Sequence, residues 1–219
     1  MSDNSKLMLK TIPELPGVYQ FLNKDKKIIS GGYLEPRSIY SSSSYDKIGN
    51  FGNESRTIHL GLDFWLSPGT KVNSMFDGEV VTSINDDGDK EYGGLLILKH
   101  KVEDFEFYTL YGHNKVRSVL KNKIGAKIKK GDVIAEIANY PENGNWAPHL
   151  HFQIMLSTLN YKIDFPGVCY YNQIEVWKDL CPNPNLLFKS VELNYTNDKS
   201  DGELINYRKK HLGKSLKLH

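Results

Sequence analysis

The chain has 219 residues, 39% of them hydrophobic and 25% charged, which suffices to bury one sizeable core. Its formal net charge of +2 excludes a strong electrostatic pull toward nucleic acid, and no stretch approaches the roughly 18 to 20 continuous apolar residues that cross a bilayer. The start, Met1 to Lys10, has neither an apolar run of signal-peptide length nor a small-residue cleavage site, so a cytoplasmic location is expected.

Residues 1–50 read as an N-terminal extension. Leu15 to Leu22 and Lys27 to Ile29 are expected as short strands of a hairpin turning at Asn23 to Lys26, and Ser41 to Ser44 as an exposed loop. Such a segment could wall one side of a cleft.

Residues 51–156 read as β almost throughout. Glu79 to Ile84, Leu95 to Leu98, Phe105 to Leu110 and Val133 to Ile137 are short runs of β-branched, aliphatic or aromatic residues broken by Gly, Asp and Asn. They follow one another without room for crossover helices. The expectation is a mainly β fold, an antiparallel β-sandwich or open barrel, with Gly112 and Gly131 permitting tight bends. Asn139 to Pro148 is a loop by its Pro, Asn and Gly content. Within it, Tyr140 and Trp146 have two readings: flat rings flanking a peptide groove, or a loop anchored by one buried Trp.

Residues 157–219 read as a C-terminal extension. Asp164 to Val168 and Cys181 to Leu187 are Pro-interrupted loops, with a short helix expected around Gln173 to Leu180. Cys169 and Cys181, outside any metal motif, would close a small disulfide in an exported protein and are read as two free, buried thiols in a cytosolic one. Leu204 to His219 carries five basic residues and no acid, so the remainder holds 2 − 5 = −3; this tail is read as a solvated helix end.

Three histidine-bearing segments carry the chemistry: His59-Leu-Gly-Leu-Asp63, Tyr111-Gly-His113 and His149-Leu-His151. Alternate side chains of a strand share a face, so His149 and His151 emerge together while Leu150 turns into the core. A catalytic zinc takes three His, Asp or Glu ligands and keeps a position for water, whose pKa it lowers toward about 7. His59, Asp63 and one histidine of the pair complete such a set. The other histidine and His113 are then free to move protons or hold developing negative charge. Each motif alone has a bland reading, as strand-end or surface histidines. Their joint presence in one short domain points to hydrolysis by activated water.

The stretch from Arg56 to Met155 resembles the lysostaphin-type zinc endopeptidases, the LytM or duplicated-hybrid-motif family. The resemblance rests on Thr57 to Asp63, Pro68 to Val72, Asp77 to Val81, Tyr92 to His100, Tyr108 to His113, Lys129 to Ile137 and Pro148 to Gln153, in the family's order. It implies one zinc ion per chain held by His59, Asp63 and His151, with His113 and His149 as the catalytic pair. It also implies a LytM-like domain over 51–156 that cleaves glycyl or D-alanyl bonds in peptidoglycan-type peptides or their fragments. Two departures stand out. The text before His149 lacks the family's Gly- and Ser/Thr-rich character, and Phe51 to Arg56 offers no tyrosine shortly before His59, where some family members place one to help stabilise the transition state; Tyr45 and Tyr92 are candidate substitutes, and the role stays unassigned.

The flanks, including Glu54 to His59 and Arg208 to Leu216, look most like the peptidase-like domain fused in some bacterial proteins to a class III PLP-dependent aminotransferase. That narrower resemblance keeps open a cytoplasmic zinc hydrolase of a small amino compound or peptide serving a PLP enzyme's pathway. A non-catalytic binding or activator module of the same fold is the third possibility, against which the intact ligand residues count.

Overall fold

A computed structural model of the protein describes residues 30–37, 40, 45–49, 52–161, 163–190 and 193. The expected hairpin at 15–29, the Ser41 to Ser44 loop and the basic tail lie outside these residues. The described chain folds as antiparallel β-structure, as the short, closely spaced strand signals predict. In chain order the strands are β1 (Ser30–Gly31), β2 (Asp46–Gly49), β3 (Gly52–Ser55), β4 (Ile58–His59), β5 (Leu62–Trp65), β6 (Lys71–Asn73) and β7 (Gly78–Asp86). There follow β8 (Gly93–Val102), β9 (Phe105–Asn114), β10 (Lys127–Ile128), β11 (Val133–Glu136), β12 (His149–Met155) and β13 (Val168–Cys169). Among the described residues three short α-helices, α1 (Val116–Val119), α2 (Ile174–Leu180) and α3 (Asn185–Phe188), and a 3-10 turn at Tyr171–Gln173 complete it. Among the described residues no helix is long and apolar enough to cross a membrane.

The main sheet has seven strands in the order β1-β5-β12-β9-β8-β7-β10, all neighbours antiparallel. Small two-stranded sheets pair β6 with β11, β4 with β13 and β2 with β3. Strand alternation splits the apolar residues into two cores. Leu62, Phe64, Leu96, Leu98, Tyr111, Leu150, Phe152 and Ile154 point to one face. Leu95, Ile97, Leu110 and Met155 point to the other, where Phe165, Cys169, Leu180 and Cys181 from the C-terminal segment cover them. Both faces of β8 are therefore buried, which explains why it reads as a continuous apolar run rather than an alternating one. Both cysteines are free and buried.

His100 sits on the first face, its Nδ1 2.8 Å from the Asp77 carbonyl and its Nε2 2.7 Å from Thr109 Oγ1, against the rings of Phe76 and Phe107. Burial lowers its pKa from 6.5 to about 4, so the folded chain keeps it neutral while the unfolded chain protonates it near 6.5. The unfolded state then binds more protons between those values. Its contribution is intact above pH 6.5 and is lost as pH falls toward 4. Between pH 7 and pH 5 this amounts to about 2 kcal/mol. Urea unfolding at the two pH values is expected to show that loss in the wild type and a smaller one in His100→Gln; equal losses would assign the acid sensitivity elsewhere.

Candidate active site

The register of the sheet brings the motifs together. Asp63 on β5 lies opposite His151 on β12, and His151 lies opposite Gly112 on β9. Directly paired residues hold their Cβ atoms about 4.5–5.5 Å apart, so Asp63 and His151 meet on the second face. His59 arrives from β4, just ahead of the turn into β5. Its Nδ1–H donates to the Gly32 carbonyl at 3.0 Å, and the His151 Nε2–H donates to Gln153 Oε1 at 2.9 Å. Gln153 is itself oriented, since its Nε2–H donates to the Pro166 carbonyl at 3.2 Å. Both rings thus carry their proton on the outer nitrogen.

The inner atoms are then bare lone pairs. His59 Nε2 and His151 Nδ1 stand 2.9 Å apart, and Asp63 Oδ1 is 3.2 Å from each. Three electron-rich atoms at such spacing repel one another unless a cation lies among them. Donors about 2.0–2.1 Å from a tetrahedral ion are separated by about 3.3 Å, close to the observed triangle. His59, Asp63 and His151 form a group whose ligand atoms all lie within 4.8 Å, and all three are buried. The set fits a first-row divalent metal, one carboxylate and two neutral imidazoles being a borderline-soft donor set.

The electrostatics agree. Desolvation lowers the His59 pKa to about 4, which favours the neutral ring at physiological pH. Burial alone would raise the Asp63 pKa, yet its surroundings outweigh that and hold the carboxyl well below its usual range. Because His59 is neutral, the lasting positive charge beside Asp63 among the described residues is Arg37, whose Nη1 lies 2.5 Å from Asp63 Oδ2.

His113 and His149 stand beside this triangle, their ring centroids 4.2 Å apart. The His149 Nδ1–H donates to the Ala147 carbonyl at 2.6 Å, and the His113 Nδ1–H to the Asn143 carbonyl at 3.0 Å. Each therefore keeps a bare Nε2, and burial lowers both pKa values, favouring the neutral ring. His149 Nε2 is 3.8 Å from Asp63 Oδ1.

A regular strand would send His113 to the face opposite Gly112. Its backbone instead takes φ +64, which swings the imidazole onto the face of His149 and His151. The bend expected at Gly112 thus falls on His113. Gly112 is needed for a different reason: a Cβ there would lie 2.4 Å from the Tyr92 ring, which packs against His151. Gly131 does take a positive φ, +91, in its turn.

A cavity of about 180 Å³ opens over the site, walled by Tyr40, Tyr45, Trp65, Tyr92 and Trp146. Trp146 lines it, as one reading of its loop required, and contacts Tyr40 edge-on at 5.7 Å. Tyr140 does not line it; its side chain is exposed. Tyr45 and Tyr92, the candidate substitutes for the family's tyrosine, both line it. Two contributors have no sequence motif: Arg37, from the N-terminal extension, and the Gly32 carbonyl. Gln153 falls within the Pro148 to Gln153 segment that carries the resemblance, but its orienting role emerges only from the strand geometry.

Residues 57–163 match the model of Peptidase family M23. The glycyl-glycine endopeptidase ALE-1 of Staphylococcus capitis is 30% identical over 102 residues, which span 47% of this chain and 26% of that protein's length. Among solved structures, the catalytic domain of the antimicrobial peptidase lysostaphin from Staphylococcus simulans is 19% identical at TM-score 0.44, with 69% of this chain and 92% of that one covered. A catalytic-domain variant of the prophage-encoded M23 protein EnpA from Enterococcus faecalis is 19% identical at TM-score 0.39, with 62% and 85% covered. The chain carries, over residues 57–163, a peptidase family M23 domain of the lysostaphin/LytM type.

Proposed function

We propose that this protein is a zinc-dependent metalloendopeptidase, holding one zinc ion per chain on His59, Asp63 and His151 and hydrolysing glycyl or D-alanyl bonds of peptidoglycan-type peptides. The observation that carries the reading is the convergence of three bare ligand atoms, each ring fixed by a hydrogen bond on its far side, next to two more neutral histidines. Zinc in that position supplies Lewis acidity, acidifying water and polarising a carbonyl. The chain's own residues do the rest. His149 and His113, each with a bare Nε2, accept a proton from the attacking water and return one to the departing amine. Neutral rings suit the accepting step, and imidazole N–H groups formed in turn stabilise negative charge on the carbonyl oxygen. The aromatic walls offer flat surfaces for an extended peptide of small residues. A glycyl substrate is supported by the named activity of the Staphylococcus capitis relative.

Metal analysis of protein purified without chelator tests the first half of the proposal, and mass-spectrometric detection of products from pentaglycine and D-alanyl peptides the second. Near one zinc per chain with cleavage of an internal bond is the expected result. Protein that binds no zinc after supplementation, or zinc-loaded protein inert toward every peptide, would contradict it.

A further inference from the structure

We propose that Arg37, which lies outside the segment matched to the peptidase family, is a positioning residue of the metal centre that holds Asp63 as a one-oxygen ligand. The inference rests on the reading of His59, Asp63 and His151 as metal ligands. The path of the chain places it there. β1 runs antiparallel to β5 with Gly31 opposite Asp63. The chain then reverses through Tyr33 and Leu34 and returns along β4, where the Leu34 N–H donates to the His59 carbonyl at 2.7 Å, the His59 N–H to the Glu35 carbonyl at 3.1 Å and the Arg37 N–H to the Thr57 carbonyl at 2.8 Å. These bonds tie the backbone of the ligand His59 to the segment that carries Arg37, and they return the Arg37 side chain over Asp63.

The guanidinium is held on several sides. Nη1 donates to Asp63 Oδ2 at 2.5 Å and lies 3.3 Å from the Tyr40 hydroxyl, while Nε donates to Glu35 Oε2 at 2.9 Å. Its side chain is only 12% exposed. Space for it depends on Gly31, where a Cβ would sit 2.4 Å from Nη2 and 2.9 Å from the Trp65 ring. The two oxygens of Asp63 are thereby divided. Oδ1 faces the two ligand nitrogens, and Oδ2 has Arg37 as its one hydrogen-bond donor among the described residues. A carboxylate pinned by its far oxygen cannot rotate to offer both oxygens to an ion.

Arg37 also brings a positive charge near the metal, which opposes binding. Glu35 offsets that charge, whereas no other described residue replaces the hold on Oδ2. The orienting effect therefore prevails, and loss of Arg37 weakens the site. Partners of metal-bound carboxylates and imidazoles are typically worth about 10- to 100-fold in metal affinity.

The test is a competition titration of zinc against a chelating dye, on full-length wild type, Arg37→Met, Arg37→Lys and Gly31→Ala, with circular dichroism to check folding. Arg37→Met is expected to bind zinc about 10- to 100-fold more weakly. Gly31→Ala shifts in the same direction by displacing the guanidinium, and Arg37→Lys recovers part of the loss. The visible spectrum of cobalt-loaded protein reports the ligand set independently and is expected to change in Arg37→Met. Affinity equal to or tighter than wild type in Arg37→Met and Gly31→Ala would overturn the proposal. If Arg37→Met fails to fold, Arg37→Lys and Gly31→Ala decide on the same criterion. A wild type without zinc would overturn the metal-site reading and this inference together; a zinc-binding wild type with unaffected variants would overturn this inference alone.

Discussion

His151→Ala is expected to lose bound zinc and hydrolysis together. The substitution removes Nδ1 from a triangle in which it stands 2.9 Å from His59 Nε2 and 3.2 Å from Asp63 Oδ1, leaving two ligands where a catalytic ion needs three. It also strands Gln153, which is fully buried and loses the N–H that it accepts. Zinc content falls from near one per chain to a trace. Hydrolysis falls by at least about 10³-fold, since water of ordinary pKa replaces water acidified by the ion. A thermal readout separates this from unfolding. An ion that binds only the folded chain stabilises it by about 4 kcal/mol when present at about 1,000 times its Kd, so zinc raises the wild-type Tm. His151→Ala is expected to melt at one temperature with or without zinc. A variant that kept full zinc, or full activity, would remove His151 from the ligand set.

Much of this site was legible in the residues because its parts obey local rules. His149 and His151 share a face through strand alternation, and Leu150 between them is buried in the first core. The strand runs at 79–84, 95–98, 105–110 and 133–137 all appear, although β8 and β9 extend well past their apolar centres. Gly93, Lys99 and Lys101 look unlike strand residues, yet pairing with β7 and β9 carries them into the sheet. The helix expected around Gln173 to Leu180 is α2, Ile174–Leu180. What escaped has a common character. Arg37 meets Asp63 across 26 positions with no periodicity to announce the contact, and the partner that fixes the His59 proton is a backbone carbonyl that no side chain marks. The bend at His113 is a backbone state imposed by surroundings, including Tyr92 lodged over Gly112. The Pro-rich segment after Met155 reads as loop, and it is loop in part. Nonetheless Phe165, Leu180 and Cys181 from that segment close the second core beneath the site.

His149→Ala is expected to separate chemistry from metal binding. His149 lies two residues before His151 on the same face, but its Nε2 is 3.8 Å from Asp63 Oδ1, outside the ligand triangle. The variant therefore keeps near one zinc per chain and the zinc-dependent rise in Tm. Its kcat falls by about 10²- to 10⁴-fold, the range for removing a positioned acid–base group, with KM little changed. His113 stands 4.2 Å away ring to ring, close enough to serve the same proton or the same oxyanion. If the two act as one unit, adding His113→Ala to His149→Ala lowers kcat by much less than the product of the single losses. Fully multiplicative losses would mean that they act at separate steps, one on the proton and one on the oxyanion. Loss of zinc from His149→Ala would instead make it a ligand. The division of labour within His149-Leu-His151 would then be reversed, because only one histidine of the pair can be spent on the ion if three ligands hold it.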